Sequence, residues 1–178
     1  MIYYFKPYSI EKDLGRAYNL YMELLPNDND WACFVDGDVA FLTPDYGHVI
    51  QEVVDKNQDV GLFTCYASRV GNPLQLYKGI LSEDPNVLNH RRLALSLRDR
   101  YKNQLVKLNQ PISGHLMIIK KSTWKRVGGF KEGKILGIDN NISQKMINRN
   151  LDVMLMKGVY IFHFYRLDTG RQDKSHLK

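Results

Sequence analysis

The sequence of 178 residues has only two cysteines and no repetitive or low-complexity segment. Cys33 and Cys65 have no CxxC spacing and no histidine cluster near them. Both lie in apolar runs, so we expect buried free thiols and a fold that needs no disulfide. The absence of a fixed-period repeat excludes solenoid architectures, and no apolar run is long enough to cross a bilayer.

The amino-terminal residues MIYYFKPYS also lack the basic leader, the long apolar core and the small-residue cleavage site of a signal peptide. We therefore expect a cytoplasmic protein. What the chain does have is an ordinary globular composition, with 44% hydrophobic and 25% charged residues. Its length suits one domain that buries roughly 70% of the surface exposed by the unfolded chain.

Charge is distributed unevenly along the chain, although the net charge is only +6. Residues 1–60 contain 4 Lys/Arg and 11 Asp/Glu, a balance of −7, whereas residues 61–178 contain 21 and 8, a balance of +13. An acidic patch suits a divalent cation, and a basic half attracts the phosphates of a nucleotide, a nucleic acid or a membrane surface. Most of these side chains are nevertheless expected to be ordinary solvated charges.

The apolar periodicity predicts alternating strands and helices, which is typical of an α/β fold with an at least partly parallel sheet. Residues 67–86 are predicted to be an irregular connection because of their Gly and Pro content. Ser122 is predicted to cap a short helix that ends at Gly128-Gly129. The predicted strands are 2–5, 31–35, 59–67, 115–121, 152–156 and 159–165, and the predicted helices are 13–25, 46–56, 87–108, 122–130 and 138–150.

Two carboxylates separated by one glycine follow a strand in the segment FVDGDVAF, residues 34–41. One interpretation is a tight hairpin between WACFV and VAFL, because Asp-Gly is a strong turn signal. The other is a ligand site, because ligands of α/β proteins collect beyond the carboxyl ends of strands. WACFV is too uniformly apolar for a half-exposed hairpin strand and indicates a central strand covered on both faces. This pattern favours the ligand site.

Five segments, taken together and in this order, resemble the family-2 glycosyltransferases with the glycosyltransferase-A fold. They are GRAYN (15–19), the DxD motif Asp36-Gly37-Asp38, SGHLMIIKKSTWKRVGGF (113–130), GIDNN (137–141) and YIFHFYR (160–166). The resemblance implies an α/β fold in a single domain, with a mixed, mostly parallel sheet flanked by helices. It further implies a reduced nucleotide-binding part in residues 1–60 with the DxD motif, an acceptor-side part in 61–166 and a flexible tail in 167–178.

The resemblance also implies the residues of a transferase site. Asp36, Asp38 and His163 would bind Mn²⁺ or Mg²⁺ on the diphosphate of a nucleotide-sugar donor, because hard cations prefer oxygen ligands. Asp139 would be the catalytic base, because an acceptor hydroxyl is a poor nucleophile until its proton is being removed. The residues expected around the donor are Pro7, Tyr8, Arg16, Asn19, Asp36, Gly114 and Arg166. Structural interpretations remain open for Asp139, as a helix N-cap, and for His163, as a satisfied core histidine.

The sequence departs from the family pattern in two places. Ile138 stands where the family has a glutamate before the catalytic aspartate. Family members also have a longer chain before the DxD motif, including an aspartate that recognises the base, and no residue here matches that aspartate. The segment KSHL (174–177) resembles one that orders over the donor in close relatives. The sequence therefore predicts no particular donor base.

The leading hypothesis is a metal-dependent glycosyltransferase that acts on an unknown glycan, lipid-linked or protein acceptor. A second hypothesis is a catalytically inactive or partner-dependent protein that binds sugar nucleotides. A third is a nucleic-acid-binding module built on the basic helix at 87–108, but the chain has no nucleic-acid-binding fingerprint and its acidic amino-terminal third would repel phosphate. No nucleic acid is therefore expected as a partner, and the oligomeric state stays open.

Overall fold

The computed structural model describes residues 1–165 and residue 167. The described chain forms seven strands and five α-helices, with two short 3₁₀ turns at Pro73–Gln75 and Tyr77–Gly79. The strands are β1 (Ile2–Phe5), β2 (Trp31–Val35), β3 (Val39–Phe41), β4 (Leu62–Ala67), β5 (Leu105–Lys107), β6 (Leu116–Lys120) and β7 (Val153–His163). The helices are α1 (Leu14–Glu23), α2 (Tyr46–Lys56), α3 (Val87–Tyr101), α4 (Lys121–Val127) and α5 (Ile138–Asn148). None of these helices is long and apolar enough to cross a membrane.

All seven strands belong to one mixed sheet in the order β1-β2-β6-β4-β7-β3, and β5 also pairs with β7. Four strands, β1, β2, β4 and β7, run in one direction, so the greater part of the sheet shares one orientation. The inserted strand β6 runs against both of its neighbours, and β3 and β5 run against β7. The predicted α/β architecture, with a mixed sheet flanked by helices, is confirmed.

Helices cover both faces of the central strands. All five residues of β2 are buried, and their side chains alternate between two hydrophobic clusters. The cluster around Trp31, Cys33 and Val35 includes the apolar face of α2, and the cluster around Ala32 and Phe34 includes those of α1 and α5. The prediction of a central strand covered on both faces is therefore confirmed. The two cysteine thiols are free and buried, also as predicted.

The hairpin interpretation of FVDGDVAF is wrong. β2 pairs with β1 and β6, whereas β3 pairs with β7 in the register Val39↔His163. β3 runs opposite to β2, but the residues between them carry the chain along the carboxyl edge of the sheet to β7 instead of forming a hairpin with β2. This crossing is what places both carboxylates at the edge.

Several predicted boundaries differ from the structure by a few residues, and three of the differences change how the chain is organised. The helix predicted at 87–108 ends at Tyr101, and the chain turns at Asn103 (φ 59°) into β5, which pairs with β7. The N-cap of α4 is Lys120 and not Ser122, which lies inside the helix. The two strands predicted at 152–156 and 159–165 form the single strand β7. The predicted helix end at Gly128 is confirmed, with the positive φ of 78° that glycine allows.

Candidate functional site

The strands that share one direction place polar residues at a common edge of the sheet. Pro7 and Tyr8 follow β1, Asp36 and Asp38 follow β2, and His163 is the last residue of β7. β6 runs the other way and therefore begins at the same edge, immediately after Gly114 and His115. The sheet topology thus explains why residues far apart in sequence meet here.

Asp36, Asp38 and His163 form a compact cluster. One possible ligand atom from each residue lies within 4.8 Å of those from the other two. The Nε2 atom of His163 lies 3.2 Å from Oδ1 of Asp38 and 3.8 Å from Oδ2 of Asp36. The β3–β7 pairing holds Asp38 beside His163, and the amide of Phe164 donates a hydrogen bond to the Asp38 carbonyl at 3.0 Å.

The orientation of the His163 ring is fixed by the loop after β4. Its Nδ1 lies 2.7 Å from the carbonyl oxygen of Arg69, which only accepts hydrogen bonds, so Nδ1 carries a proton. The backbone amide of His163 donates to the hydroxyl of Ser68 at 3.0 Å. Nε2 therefore faces the two carboxylates, where it can donate a hydrogen bond to Asp38 or, without its proton, ligate a metal ion as other histidines do. His163 is a buried strand residue and a member of the cluster at once.

The loop that supports His163 is itself anchored by a buried arginine. The Arg69 guanidinium donates to the Tyr165 carbonyl at 2.7 Å and to the Ser82 carbonyl. It also pairs with Glu83 at 2.8 Å. These three contacts of Arg69 link the irregular 67–86 segment to the residues that position His163.

The donor set fits a divalent cation. Two carboxylates and a neutral imidazole offer hard oxygen ligands with one nitrogen, a combination that suits Mn²⁺ and leaves positions open, while Mg²⁺ prefers an all-oxygen shell. The hydrogen bond from His163 to a backbone carbonyl supplies the outer support that ligating histidines normally have. The residues present therefore match the predicted metal site in kind and in proximity.

The two carboxylates differ in their electrostatic environments. Desolvation raises the pKa of Asp36 to about 6, with the neighbouring His163 acting in the opposite direction. The hydrogen bond with His163 lowers the pKa of the half-exposed Asp38. A cation bound between them would relieve the unfavourable charge that Asp36 carries above pH 6.

Asp139 lies in the first turn of α5, close to the same edge of the sheet, and lines the same clefts as Asp36. Its Oδ2 accepts a hydrogen bond from the Gly114 amide at 2.8 Å, and its Oδ1 accepts one from the Asn140 amide at 2.8 Å. Burial nevertheless raises the pKa of Asp139 above its ordinary value, which makes the ionised form a stronger base. The N-cap interpretation is wrong, because the cap residue of α5 is Gly137. The preceding Ile138 is buried in the core and lines the cleft beside Asp36.

A cavity of about 650 Å³ connects the cluster with Asp139. Its wall includes Asp36, Gly114, His115, Asp139 and His163. A second cavity of about 340 Å³ shares Asp36, Gly114 and Asp139 with the first, so this wall separates two adjoining clefts. The combined space is of the size of small-molecule and cofactor sites.

The loop that carries Gly114 is rigidly attached to the fold. The fully buried Gln75 side chain accepts from the Ser113 amide at 2.7 Å and donates to its carbonyl at 3.0 Å. The Ser143 hydroxyl accepts from the Ile112 amide at 3.2 Å and donates to the Asp139 carbonyl at 2.7 Å. These bonds hold the loop and the first turn of α5 in one arrangement before any ligand binds.

The structure does not bring all of the expected donor residues to the cluster. Arg16 is exposed and pairs with Glu11 at 3.6 Å. Asn19 is occupied elsewhere: its side chain bonds to the Trp124 indole at 3.0 Å and to both backbone groups of Phe130. Helix α1 instead contributes Leu14 and Tyr18 to the cleft beside Asp36. Trp124 and Phe130 take part in packing, as the sequence predicted.

The other expected donor residues have different outcomes. Gly114 lines both cavities. Pro7 and the largely exposed Tyr8 lie at the correct edge of the sheet, just beyond β1. Arg166 and the segment at 174–177 lie outside the described residues. The donor roles of Pro7, Tyr8, Arg16, Asn19 and Arg166 therefore stay predictions.

One residue of the site was missed by sequence analysis. His115 is buried in the cavity wall, its ring stacks on that of His163 at 5.8 Å, and desolvation lowers its pKa to about 3. A polar residue directly before the apolar run LMII was the signal that could have revealed it. In the β2–β6 register it lies opposite Asp36, whose amide donates to the His115 carbonyl at 3.1 Å.

Gly114 provides a test of how tightly the site is packed. A Cβ added at Gly114 would lie 2.9 Å from Cβ of Asp139 and 3.3 Å from its Oδ2, whereas one added at Gly37 would meet nothing within 4 Å. We expect Gly114→Ala to displace Asp139 and to lower the free energy of unfolding by about 1–3 kcal/mol. Gly37→Ala, the matched control, should change it by less than about 0.5 kcal/mol. Urea unfolding of both variants measures the difference, and equal stabilities would contradict the packing.

Comparison with known proteins leaves the class of this chain open. No protein-family model matches the sequence, and no curated protein matches it significantly. The fold and the site therefore define an α/β protein with a two-carboxylate and histidine cluster and a third carboxylate at one cleft.

Proposed function

We propose that this protein is a metal-dependent glycosyltransferase that moves a sugar from a nucleotide-diphosphate donor to an acceptor hydroxyl. The observation that carries the proposal is the clustering of Asp36, Asp38 and His163 at a cavity that Asp36, His163 and Asp139 line together. The order of the sequence motifs supports it independently. The chain would act on a donor that lies in the cleft and an acceptor that enters from the Asp139 side.

Each side chain has a specific task in this proposal. Asp36, Asp38 and His163 would hold Mn²⁺ or Mg²⁺, which when bound offsets the charge that develops on the departing diphosphate. Asp139, held by the Gly114 amide, would accept the proton of the acceptor hydroxyl through a carboxylate whose basicity is increased by burial. The hydrogen bonds of Gln75 and Ser143 would keep Asp139 in position during this transfer.

The basic helix α3, which suggested nucleic-acid binding, has a structural role in the fold. It buries His90, Ala94 and Leu97 against the sheet, and its Arg98 pairs with Asp45 at 2.8 Å. The carboxylates of Asp36 and Asp38 also make the cleft acidic, which disfavours binding of a nucleic-acid backbone unless a cation is bound. The nucleotide-sugar proposal uses the cluster, whereas the nucleic-acid hypothesis leaves it without a function.

The direct test is ligand-dependent thermal stability of the wild-type protein. In differential scanning fluorimetry, UDP, GDP and dTDP and their glucose or mannose derivatives are each added under three separate conditions. These are Mn²⁺ equimolar with the nucleotide, Mg²⁺, and EDTA. A ligand present at 100 times its Kd should stabilise the fold by about 2.7 kcal/mol, which raises Tm by about 5–10 °C for a domain of this size. If no nucleotide raises Tm with either metal, the proposal is wrong.

The same measurement has a predicted pH dependence. The proton that Asp36 retains below its pKa of about 6 competes with the cation, so metal affinity should fall as the pH drops through 6. One competing proton weakens affinity by about tenfold for each pH unit below the pKa. A Mn²⁺ titration by calorimetry between pH 5 and 8 checks this, and an affinity independent of pH would exclude Asp36 as a ligand.

A further inference from the structure

The face of α3 that points away from the sheet carries two exposed arginines, Arg91 and Arg92. Other basic residues in and after this helix form ion pairs, namely Arg98 with Asp45, Lys102 with Glu52 and Lys107 with Asp152. Within the described residues, neither Arg91 nor Arg92 pairs with a carboxylate, and Arg92 donates only to the side-chain oxygen of Asn89 at 3.1 Å. The packing of α3 therefore leaves these two positive charges unused.

Exposed aliphatic side chains lie next to these arginines. Val87 and Leu88 precede them by one helical turn on the same face of α3, and Leu88 is 62% exposed. The segment before the helix adds Ile80, which is 65% exposed and lines a cavity of about 290 Å³ together with Asn89 of α3. We call the resulting patch the docking surface, and its members are Leu74, Lys78, Ile80, Leu81, Val87, Leu88, Arg91 and Arg92.

The two acidic residues of the same segment are engaged by their own neighbours. Glu83 pairs with the buried Arg69 at 2.8 Å. Asp84 accepts hydrogen bonds from the Asn86 amide and from the Asn89 side chain, both at 2.8 Å. The three cations of the docking surface therefore give it a positive charge beside its exposed apolar groups.

This combination of groups matches the boundary of an anionic bilayer. Aliphatic side chains enter the region between headgroups and acyl chains, while neighbouring Lys and Arg side chains face the lipid phosphates. A single-stranded nucleic acid is instead bound by aromatic side chains on which its bases stack. The exposed apolar members of the docking surface are all aliphatic, so they favour the bilayer.

We propose that the docking surface binds the protein reversibly to an anionic lipid bilayer, with Ile80 and Leu88 inserted and Arg91 and Arg92 on the lipid phosphates. The inference does not depend on the proposed function. Residues 70–73, which directly precede the surface in the chain, line the cavity of about 650 Å³. Docking would therefore hold this cleft close to the bilayer.

The test is co-sedimentation of the full chain with sucrose-loaded vesicles. The vesicles contain phosphatidylcholine alone or phosphatidylcholine with about 30% phosphatidylglycerol, in about 0.05 M or about 0.5 M NaCl. We expect binding to the anionic vesicles that weakens at high salt, and much weaker binding to phosphatidylcholine alone. Absence of binding, or equal binding to both lipids, would overturn the inference.

The double variant Arg91→Gln/Arg92→Gln tests the charges of the surface. Each cation near an anionic bilayer contributes about fivefold to the partition coefficient, so the pair should contribute about 30-fold. Lys125→Gln/Arg126→Gln is the matched control, because it removes two exposed adjacent cations of α4 and gives the same net charge. It should stay within about twofold of the wild type. Equal losses in both variants would mean attraction by net charge alone, which contradicts a specific surface.

Ile80→Ser/Leu88→Ser tests insertion, and we expect it to weaken binding by about tenfold or more. Its matched control is Leu20→Ser/Leu24→Ser, which changes two leucines of comparable exposure at α1 and should bind as the wild type does. All four substituted side chains are exposed, so Tm should change little in both variants. Wild-type binding by Ile80→Ser/Leu88→Ser would overturn insertion.

A single-stranded RNA of about 20 nucleotides, added at low salt, separates the bilayer from a nucleic acid as the partner. If RNA binds, is lost in Arg91→Gln/Arg92→Gln and competes the protein off the vesicles while Ile80→Ser/Leu88→Ser binds both normally, the surface binds nucleic acid and the inference is wrong. The nucleotide-dependent thermal shift is measured without vesicles. Failure of the proposed function and failure of this inference are therefore seen in separate experiments.

Discussion

Asp38→Asn should abolish the Mn²⁺-dependent stabilisation of the protein by its nucleotide ligand. The substitution removes the charge of one of three clustered ligand groups and keeps the size of the side chain. A ligand that raises stability by about 2.7 kcal/mol in the wild type should then contribute less than about 0.5 kcal/mol at the same concentration. Under the proposed function transferase activity should fall as well, because the departing diphosphate would lose the cation that offsets its charge.

The unliganded variant provides the internal control. Because Asp38 is half exposed, its interaction with His163 should contribute no more than about 1 kcal/mol, so the fold must survive the substitution. Asp59→Asn is a matched control, since Asp59 is an exposed aspartate of the same acidic part of the chain. It should leave the nucleotide-dependent shift intact. Full nucleotide stabilisation of Asp38→Asn with Mn²⁺ would show that the cluster does not bind the metal used by the ligand.

The elements that the sequence predicted well are those with long apolar patterns. β2 was predictable because a strand buried on both faces is an unbroken run of apolar residues. α2 was predictable because its apolar residues recur at helical spacing. β5 was not, because a strand of three residues exists only through its pairing with β7. Two strands were predicted at 152–156 and 159–165, yet β7 continues between them, where a Cβ added at Gly158 would lie 2.9 Å from the Tyr101 carbonyl oxygen. Such close approaches depend on the fold and leave no local pattern.

The site was predictable to the same limited extent. Asp36 and Asp38 could be placed at a strand end, where ligands of α/β proteins collect. His163 was expected beside them only from the resemblance to the glycosyltransferases, within a strand predicted at 159–165 that the structure ends at His163. The crossing of the chain from β2 to β3 was not predictable, because it depends on β3 pairing with β7 instead of with β2. The missing hydrogen bond of His115 Nδ1 in the described part of the chain was not predictable either, because it depends on three-dimensional packing and not on the spacing of residues in the sequence.

Asp139→Asn should separate catalysis from binding and from stability. The amide keeps an oxygen that can accept from Gly114, so the loop and the cavity should remain in place. It cannot take a proton from an acceptor hydroxyl, so turnover should fall by about 10²–10⁴-fold while the Kd of the donor nucleotide stays within about threefold of the wild type. The readout is release of nucleoside diphosphate from the sugar nucleotide identified by thermal shift, with water and a panel of free sugars as acceptors.

We also predict the direction of the change in Tm that Asp139→Asn causes, and a purely structural role of Asp139 would give the opposite direction. Burial raises the folded-state pKa of Asp139 above its ordinary value, so the folded state binds the proton more tightly than the unfolded chain does. Ionisation above that pKa therefore costs stability at neutral pH, and removing the charge should leave Tm unchanged or higher. Lost turnover with retained donor binding and an undiminished Tm would show that the ionised Asp139 is needed for catalysis although its burial lowers the stability of the fold. A variant with a lower Tm and full turnover would make Asp139 a support for the Gly114 loop instead of a base.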